Sequence, residues 1–325
     1  MKTVVTGAGG FIGSHLCQYL KGKGHSVRAV DIKWDNYITG YADEYITADL
    51  RKTSFALKVT KGMNRVYNLA ANMGGIGYIT NVKAEVMRDN VLINVNMLEA
   101  ARTSKVDKYF FSSSACVYPT YKQESPELKP LNEDEAYPAD PDNEYGWEKL
   151  FTERLCIDYA ADFGMTTRIA RFHNIYGPEG TYDGGREKAP AALCRKVAEV
   201  SNPGTITIWG DGKQTRSFCY VEDCVKGIEA LMESHYAEPL NIGSDRLVTI
   251  DELADMIIAI SGKRIVKKYD KSKPQGVRGR NADLSRVKKE IGWNPTVSLG
   301  AGLQKTYRWI EKRIQEDRKE LRLPT

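Results

Sequence analysis

The chain has 325 residues, 42% of them hydrophobic and 27% charged, which is ordinary for a globular protein and enough for one large or two modest domains. Its 47 Lys and Arg against 42 Asp and Glu leave a net charge of +5, compatible with phosphorylated ligands but too small and too evenly spread to argue for nucleic acid. No apolar run approaches the roughly 18 residues of a membrane span, nothing resembles a signal peptide, and the six scattered cysteines and four histidines suggest neither a metal site nor a disulfide framework, so a reducing cytoplasm is expected.

The first predicted strand, a β-branched run ending at Thr6, meets glycines at 7, 10 and 13 and then an apolar helical pattern. Gly7 allows a tight turn, Gly10 lets backbone approach a pyrophosphate, and Gly13 lets a helix pack on a strand. The anion would sit on the helix N-terminus, where free N–H groups and the dipole favour it. A second strand, Ser26 to Val30, ends at Asp31, near the distance at which an acid binds a ribose 2′-hydroxyl. A carboxylate there repels a 2′-phosphate, which favours NAD over NADP. Glu44 to Leu50 reads as a third strand with Asp49 near its end, and Val66 to Ala71 as a fourth. The following loop, Asn72 to Gly77, has three glycines that would permit close approach of a cofactor or sugar, or simply a flexible turn. From Val86 to Arg102 apolar residues recur at helical spacing, with several asparagines between them.

Tyr109-Phe110-Phe111 then reads as a buried strand that runs into Ser112-Ser113-Ser114-Ala115-Cys116. After a polar, Pro-rich loop comes Tyr145-Gly146-Trp147-Glu148-Lys149. On a helix Tyr145 and Lys149 share a face one turn apart, and an ammonium near a phenol is expected to lower the phenol's pKa. Thr167 to Phe172 reads as a sixth strand, ending in His173-Asn174. Ligands of open α/β sheets bind beyond such strand ends, and Asn174 could donate its amide to a phosphate oxygen. His173 fits a structural role better than an acid/base one.

From residue 177 the strand–helix rhythm loosens. We expect α/β architecture: a Rossmann-type doubly wound parallel sheet over residues 1–176, with 215–245 returning to it. A smaller α/β substrate-binding domain is expected over 177–214 and 246–315, and a charged tail over 316–325. Within the second part Ala189 to Val200 reads as a helix, Thr249-Ile250-Asp251-Glu252 makes a capping box, and the guanidinium groups of Val277-Arg278-Gly279-Arg280-Asn281 suit a diphosphate. The chain beyond Trp309 is expected to be a solvated, fraying helix.

The glycine turn, Asp31 and the Ser114, Tyr145, Lys149 set together resemble the extended short-chain dehydrogenase/reductase family, in its nucleotide-sugar-modifying branch, over most of the chain. The resemblance implies NAD contacts from Gly7, Gly10, Phe11, Ile12, Gly13, Asp31, Asp49, Leu50 and Ala70, with Tyr145 and Lys149. It implies catalysis by Ser114, Tyr145 and Lys149. It also implies a homodimer seam built from the helix over Val86 to Arg102 and the one beginning near Tyr145.

Simple dehydrogenation has no use for Cys116. A hexose oxidised at C4, however, has acidic protons at C3 and C5, and inverting either carbon needs a base on one face and an acid on the other. Cys116 can serve if nearby positive charge lowers its pKa, and Lys188 is the best partner. Ser114-Ala115-Cys116-Val117-Tyr118-Pro119, Arg171 to Pro178, Gly184 to Ala192, Trp209 to Phe218 and Val277 to Asn281 resemble the family members that invert both carbons of a GDP-hexose. That resemblance implies conversion of GDP-D-mannose to GDP-L-galactose, with GDP-L-gulose if only C5 inverts. It implies substrate contacts from Gly74, Ser114, Ala115, Cys116, Asn174, Glu187, Lys188, Ala189, Lys196, Gln214, Thr215, Arg216 and Arg280. Residues 76–78 depart from the usual pattern. The alternatives are a GDP-4-keto-6-deoxymannose epimerase/reductase, a plain nucleotide-sugar 4-epimerase, and a catalytically silent NAD-binding scaffold.

Overall fold

In the computed structural model, which describes residues 1–34 and 40–320, the first strand lies inside a seven-stranded parallel sheet, next to its central strand. The strands in chain order begin β1 (Lys2–Thr6), β2 (Ser26–Asp31), β3 (Glu44–Thr47), β4 (Arg65–Asn68), β5 (Lys108–Ser114), β6 (Thr167–Phe172) and β7 (Ile175–Tyr176). They continue β8 (Gly204–Trp209), β9 (Thr215–Ser217), β10 (Cys219–Tyr220), β11 (Leu240–Ile242), β12 (Leu247–Thr249), β13 (Ile265–Asp270) and β14 (Gly279–Arg280). The helices begin α1 (Phe11–Gly22), α2 (Thr53–Thr60), α3 (Ile76–Ile79), α4 (Lys83–Thr103) and α5 (Glu144–Phe163). They continue α6 (Ala189–Glu199), α7 (Val221–Glu233), α8 (Ile250–Ser261), α9 (Ser285–Ile291) and α10 (Leu299–Glu320).

The main sheet runs β3-β2-β1-β4-β5-β6-β11, so the order reverses between β1 and β4. A crevice opens beyond the carboxyl ends of the strands at such a reversal. Alternation along each strand supplies both faces. Val5, Ala29, Tyr67 and Phe110 pack with α1 and α7, while Val4, Val30, Val66, Tyr109 and Phe111 pack under α2, α4 and α5. In-register pairing of Thr6 with Asn68 and of Ser114 with Phe172 brings the ends of β1, β4, β5 and β6 to one rim.

Outside that sheet β8 pairs in parallel with β13, β7 with β10, and β9 lies between β12 and β14. Thr215–Ser217 therefore pairs with strands of the second part, and the chain rejoins the main sheet at Leu240–Ile242 beside β6. The reciprocal Thr249–Glu252 capping box does start α8. The expected fraying after Trp309 is corrected. Ile310 and Ile314 are buried, Tyr182 donates to Asp317 at 2.9 Å, and α10 continues to Glu320 against α6. An apolar residue every fourth position gave this stretch a buried stripe despite its charge. Residues 321–325 of the expected tail lie outside the described residues. Among the described residues no helix is long and apolar enough to cross a membrane.

Candidate active site

The turn from β1 into α1 is built to admit a ligand's backbone-bound phosphates. Gly7 has φ of 67°, and a Cβ there would meet Leu69 backbone carbon at 2.8 Å. A Cβ on Gly13 would lie 2.1 Å from the Gly7 carbonyl oxygen, so helix and turn touch only because both are glycine. Gly10 is the N-cap of α1 and supplies no side-chain cap, which leaves first-turn N–H groups for an anion. Asp31, at the end of β2, accepts from Gly9 N–H at 2.9 Å and Ile32 N–H at 2.7 Å. Burial raises its pKa, and those amide bonds oppose the rise.

A cleft of about 700 Å³ lies here, lined by Gly7, Gly10, Phe11, Ile12, Gly13, Asp31, Asp49, Leu50, Ala70, Gly74, Ser114, Tyr145, Asn174 and Lys188. The glycine turn, the uncapped helix start and the ribose-distance acid fit a dinucleotide. Asp49 is already gripped by Arg51, Nε to Oδ1 at 2.9 Å and Nη2 to Oδ2 at 3.0 Å, which holds its carboxyl below the usual range. Asn174 is likewise engaged: it sits at φ of 47° and its amide donates to Ser217 O at 2.9 Å, not into open space.

Helix α5 carries the redox pair. Asn143 caps it by accepting from Gly146 N–H at 3.0 Å, and Gly164, at φ of 68°, ends it. Gly146 has to be glycine, because a Cβ would lie 2.2 Å from the Cys116 carbonyl oxygen. That contact locks the start of α5 to the turn after β5. Ser114 bonds the Tyr145 phenol and also accepts from Cys116 N–H at 3.2 Å.

Lys149 is 1% exposed behind the cleft wall, its ammonium 5.3 Å from the Tyr145 ring centroid and 4.8 Å from that of Phe111. The expected easing of the phenol is corrected here. Burial, then Glu148 and Cys116, push the Tyr145 pKa well above its ordinary value, and only Ser114 opposes them. The main reason is burial, and Glu148, whose Oε1 sits 3.6 Å from Lys149 Nζ, adds a negative charge beside the pair.

Glu148 is a functional residue that sequence reasoning missed. It is fully buried, accepts from Asn90 at 2.9 Å and Asn94 at 3.1 Å, and gives the buried ammonium a counter-charge. The signal was the asparagines at i, i+4 spacing within an apolar helix. His173 is buried, its Nε2 2.8 Å from Asn241 Oδ1, and serves structure.

Cys116 is drawn into a basic cluster. Arg280 Nη1 donates to its sulfur at 3.3 Å, while Arg280 Nε donates to Gln123 Oε1 at 2.6 Å. Arg216 adds a second guanidinium, tied to Thr215 O at 2.7 Å and Val277 O at 2.8 Å. Burial, then Arg280, lower the Arg216 pKa to about 9, while Asp142, 3.8 Å from Arg280 Nη2, opposes the shift; two guanidinium groups against that one carboxylate suit the cluster to an anion. Gln214 Oε1 and Arg280 Nη2 are buried without hydrogen-bond partners, whereas Thr215 is used up in a 2.6 Å bond to Pro126 O.

Lys188, the N-cap residue of α6, lines the cleft. Its side chain is open on that side, yet the surrounding protein still desolvates the amine and lowers its pKa; Cys116 opposes the shift and Arg280 adds to it. Glu187 is paired with Arg195 at 3.2 Å, Lys196 donates to Thr207 O at 2.7 Å beside the Trp209 ring, and Ala189 opens α6. Ala115 is buried at the start of the turn holding Cys116. Gly75 accommodates the 186–187 backbone, since a Cβ there would lie 2.4 Å from Glu187 O, and a Cβ on Gly74 would lie 2.8 Å from Tyr78 Cβ.

Known proteins match this arrangement. The NAD dependent epimerase/dehydratase family model covers residues 3–243. A GDP-mannose 3,5-epimerase of Arabidopsis thaliana is 46% identical over 320 residues, covering 98% of this chain and 84% of the relative. A UDP-glucuronic acid 4-epimerase of Bacillus cereus, solved with UDP-glucuronic acid and NAD, superposes with a TM-score of 0.83 at 31% identity over 96% of this chain and 100% of that one. A UDP-glucose 4-epimerase of Thermotoga maritima, solved with UDP-glucose, gives 0.88 at 26% identity, with 97% and 100% covered. With its dinucleotide turn, its Ser114, Tyr145 and Lys149 and this span of similarity, the chain belongs to the NAD dependent epimerase/dehydratase family.

Proposed function

We propose that the chain acts as a GDP-mannose 3,5-epimerase, turning GDP-D-mannose into GDP-L-galactose, and into GDP-L-gulose when C5 alone inverts. The observation that carries this is the basic cluster around Cys116, with Arg280 on its sulfur, placed electrostatically next to Lys188. An oxidation followed by simple re-reduction at C4 would need neither group.

NAD, when bound, supplies a reversible hydride acceptor for C4. As phenolate, a form that burial opposes in the ligand-free site and that the positive charge of bound NAD would have to favour, Tyr145 would take the 4-hydroxyl proton, with Ser114 holding the same oxygen by hydrogen bonding. Lys149, 3.6 Å from Glu148 and beside the Tyr145 ring, orients the pair. Once C4 is ketonic, one of Cys116 and Lys188 removes the proton from C5, and the other delivers one to the opposite face. The same pair then acts at C3. Desolvation by the surrounding protein lowers the Lys188 pKa from its ordinary value, the direction that favours proton exchange by an amine. Arg216 and Arg280 hold the diphosphate, with Lys196 and Gln214 nearer the nucleoside.

GDP-mannose incubated with the enzyme and NAD in heavy water tests this by NMR. Deuterium should enter at C5 and C3. Uptake at neither carbon, with NAD reduction still seen, would refute the assignment. Cys116→Ala should stop uptake while a transient of reduced NAD remains.

The same reading includes a homodimer. Its support is an exposed apolar face shared by Met87 and Leu92 on α4 with Trp147 and Phe151 on α5. A sedimenting species of one chain's mass would exclude it. A cytoplasmic site of action is supported by six cysteines that are all free thiols.

A further inference from the structure

We propose that Tyr78 and Arg186 form a clasp that sets Lys188 over the hexose, and that both are positioning residues for proton exchange. The inference rests on the role given to Lys188 above.

The segment before Lys188 is led by two glycines, and next to Lys188 the Glu187 carboxylate ties it to Arg195 of α6 at 3.2 Å. Gly184 and Gly185 both have positive φ, 83° and 81°, and neither touches a neighbour at its Cβ position. Beyond them the chain is caught by Arg186. Its guanidinium lies on the Tyr78 ring at 3.9 Å from the centroid, and its Nη2 donates to the Tyr78 hydroxyl at 2.7 Å. Its carbonyl accepts from Gly75 N–H at 2.9 Å. After Lys188 the chain enters α6, whose Leu193 and Cys194 are buried. Lys188 is therefore suspended between a fixed helix and the clasp.

The other end of the clasp is anchored in the core. The Tyr78 hydroxyl accepts from Arg186 and donates its one proton to Asn72 Oδ1 at 2.9 Å. Asn72 N–H donates to Asn90 Oδ1 at 2.6 Å, and Asn90 donates to Glu148, the counter-charge of Lys149. Every donor in this chain meets an acceptor in a consistent direction. The hydroxyl is the link between a swinging segment and the buried redox pair. The stacked ring alone would leave Arg186 free to slide.

Tyr78→Phe keeps the ring and removes only that link. In the full-length, NAD-loaded enzyme without substrate, hydrogen exchange of the Gly75 amide and of residues 184–188 should quicken by about fivefold to thirtyfold. With GDP-mannose in heavy water, deuterium uptake at C5 and C3 should fall by a similar factor while C4 oxidation keeps its rate. Arg186→Lys, which retains charge but loses the fork, should do the same, and the double variant should be no worse than Arg186→Lys alone. Unchanged amide exchange, oxidation falling in step with uptake, or losses that multiply in the double variant would each overturn the clasp. Should the unmodified enzyme label no carbon, the assigned reaction fails, yet the substrate-free amide exchange still decides the clasp.

Discussion

The two halves of the site are built in opposite ways. The redox half, Ser114, Tyr145 and Lys149, comes from one strand end and one helix within 36 positions of chain. Its lysine is 1% exposed and its tyrosine 8%, both fixed by packing on the main sheet. The exchange half joins Cys116 to Arg280, 164 positions away, through a three-residue turn and a two-residue strand, and adds a lysine from a glycine-led segment. In the proposed reaction, rigid core elements hold the oxidation step, and the proton exchange falls to the less anchored half. Damage to the first half should therefore abolish everything, and damage to the second should change only the proton exchange that comes after oxidation.

The hardest blow to that contrast is Tyr145→Phe. Loss of one hydroxyl should cost C4 oxidation about 10²–10⁴-fold, and deuterium uptake should vanish with it. Single-turnover absorbance of reduced NAD measures the first, NMR the second. Lys188→Ala separates the halves: uptake should fall by about 10²–10⁴-fold while the reduced-NAD transient persists. Parallel loss of both signals would mean that the halves are not separable.

A stability measurement sharpens the comparison further. Glu148→Ala leaves the Lys149 ammonium buried without a carboxylate, and Asn90 and Asn94 without their acceptor. Breaking such a pair from one side should cost about 3–5 kcal/mol in chemical denaturation. Arg186→Ala, on the exposed clasp, should cost under about 1 kcal/mol by the same assay.

The redox half was legible because its chemistry is written in local spacing. Gly7 to Gly13 and the one-turn step from Tyr145 to Lys149 both act within a few residues. Fold class followed from alternating strand and helix runs for the same reason. Pairings that local spacing cannot carry were missed: that Glu148 answers Lys149, that Arg280 finds Cys116, and that Tyr78 meets Arg186 across 108 positions. The phenol's charge state failed on the same ground, since burial and Glu148 outweigh a lysine one turn away. The tail beyond Trp309 failed because dense charge hid the stripe of Ile310 and Ile314.

His173, buried beside Tyr118 and Asn241, is tested through pH. It follows β6, its Cβ crowds Gly243, and its ring lies 5.8 Å from that of Tyr118. Asn241 Oδ1 can only accept, so His173 Nε2 carries the proton, and Nδ1 is buried with no partner. Burial, with Arg280 and Arg171 adding to it against the Asn241 bond, lowers its pKa from 6.5 to about 3. Between those two values the unfolded chain binds a proton that the native protein refuses. Stability from this group is thus whole above pH 6.5, falls as pH drops, and stops falling below the native pKa. At pH 5 the gap from 6.5 is 1.5 units, or about 2 kcal/mol lost relative to pH 7. Urea unfolding at both pH values should therefore show a loss in the native sequence that exceeds that of His173→Gln by about 2 kcal/mol. Equal losses in the two proteins would mean that water reaches the ring.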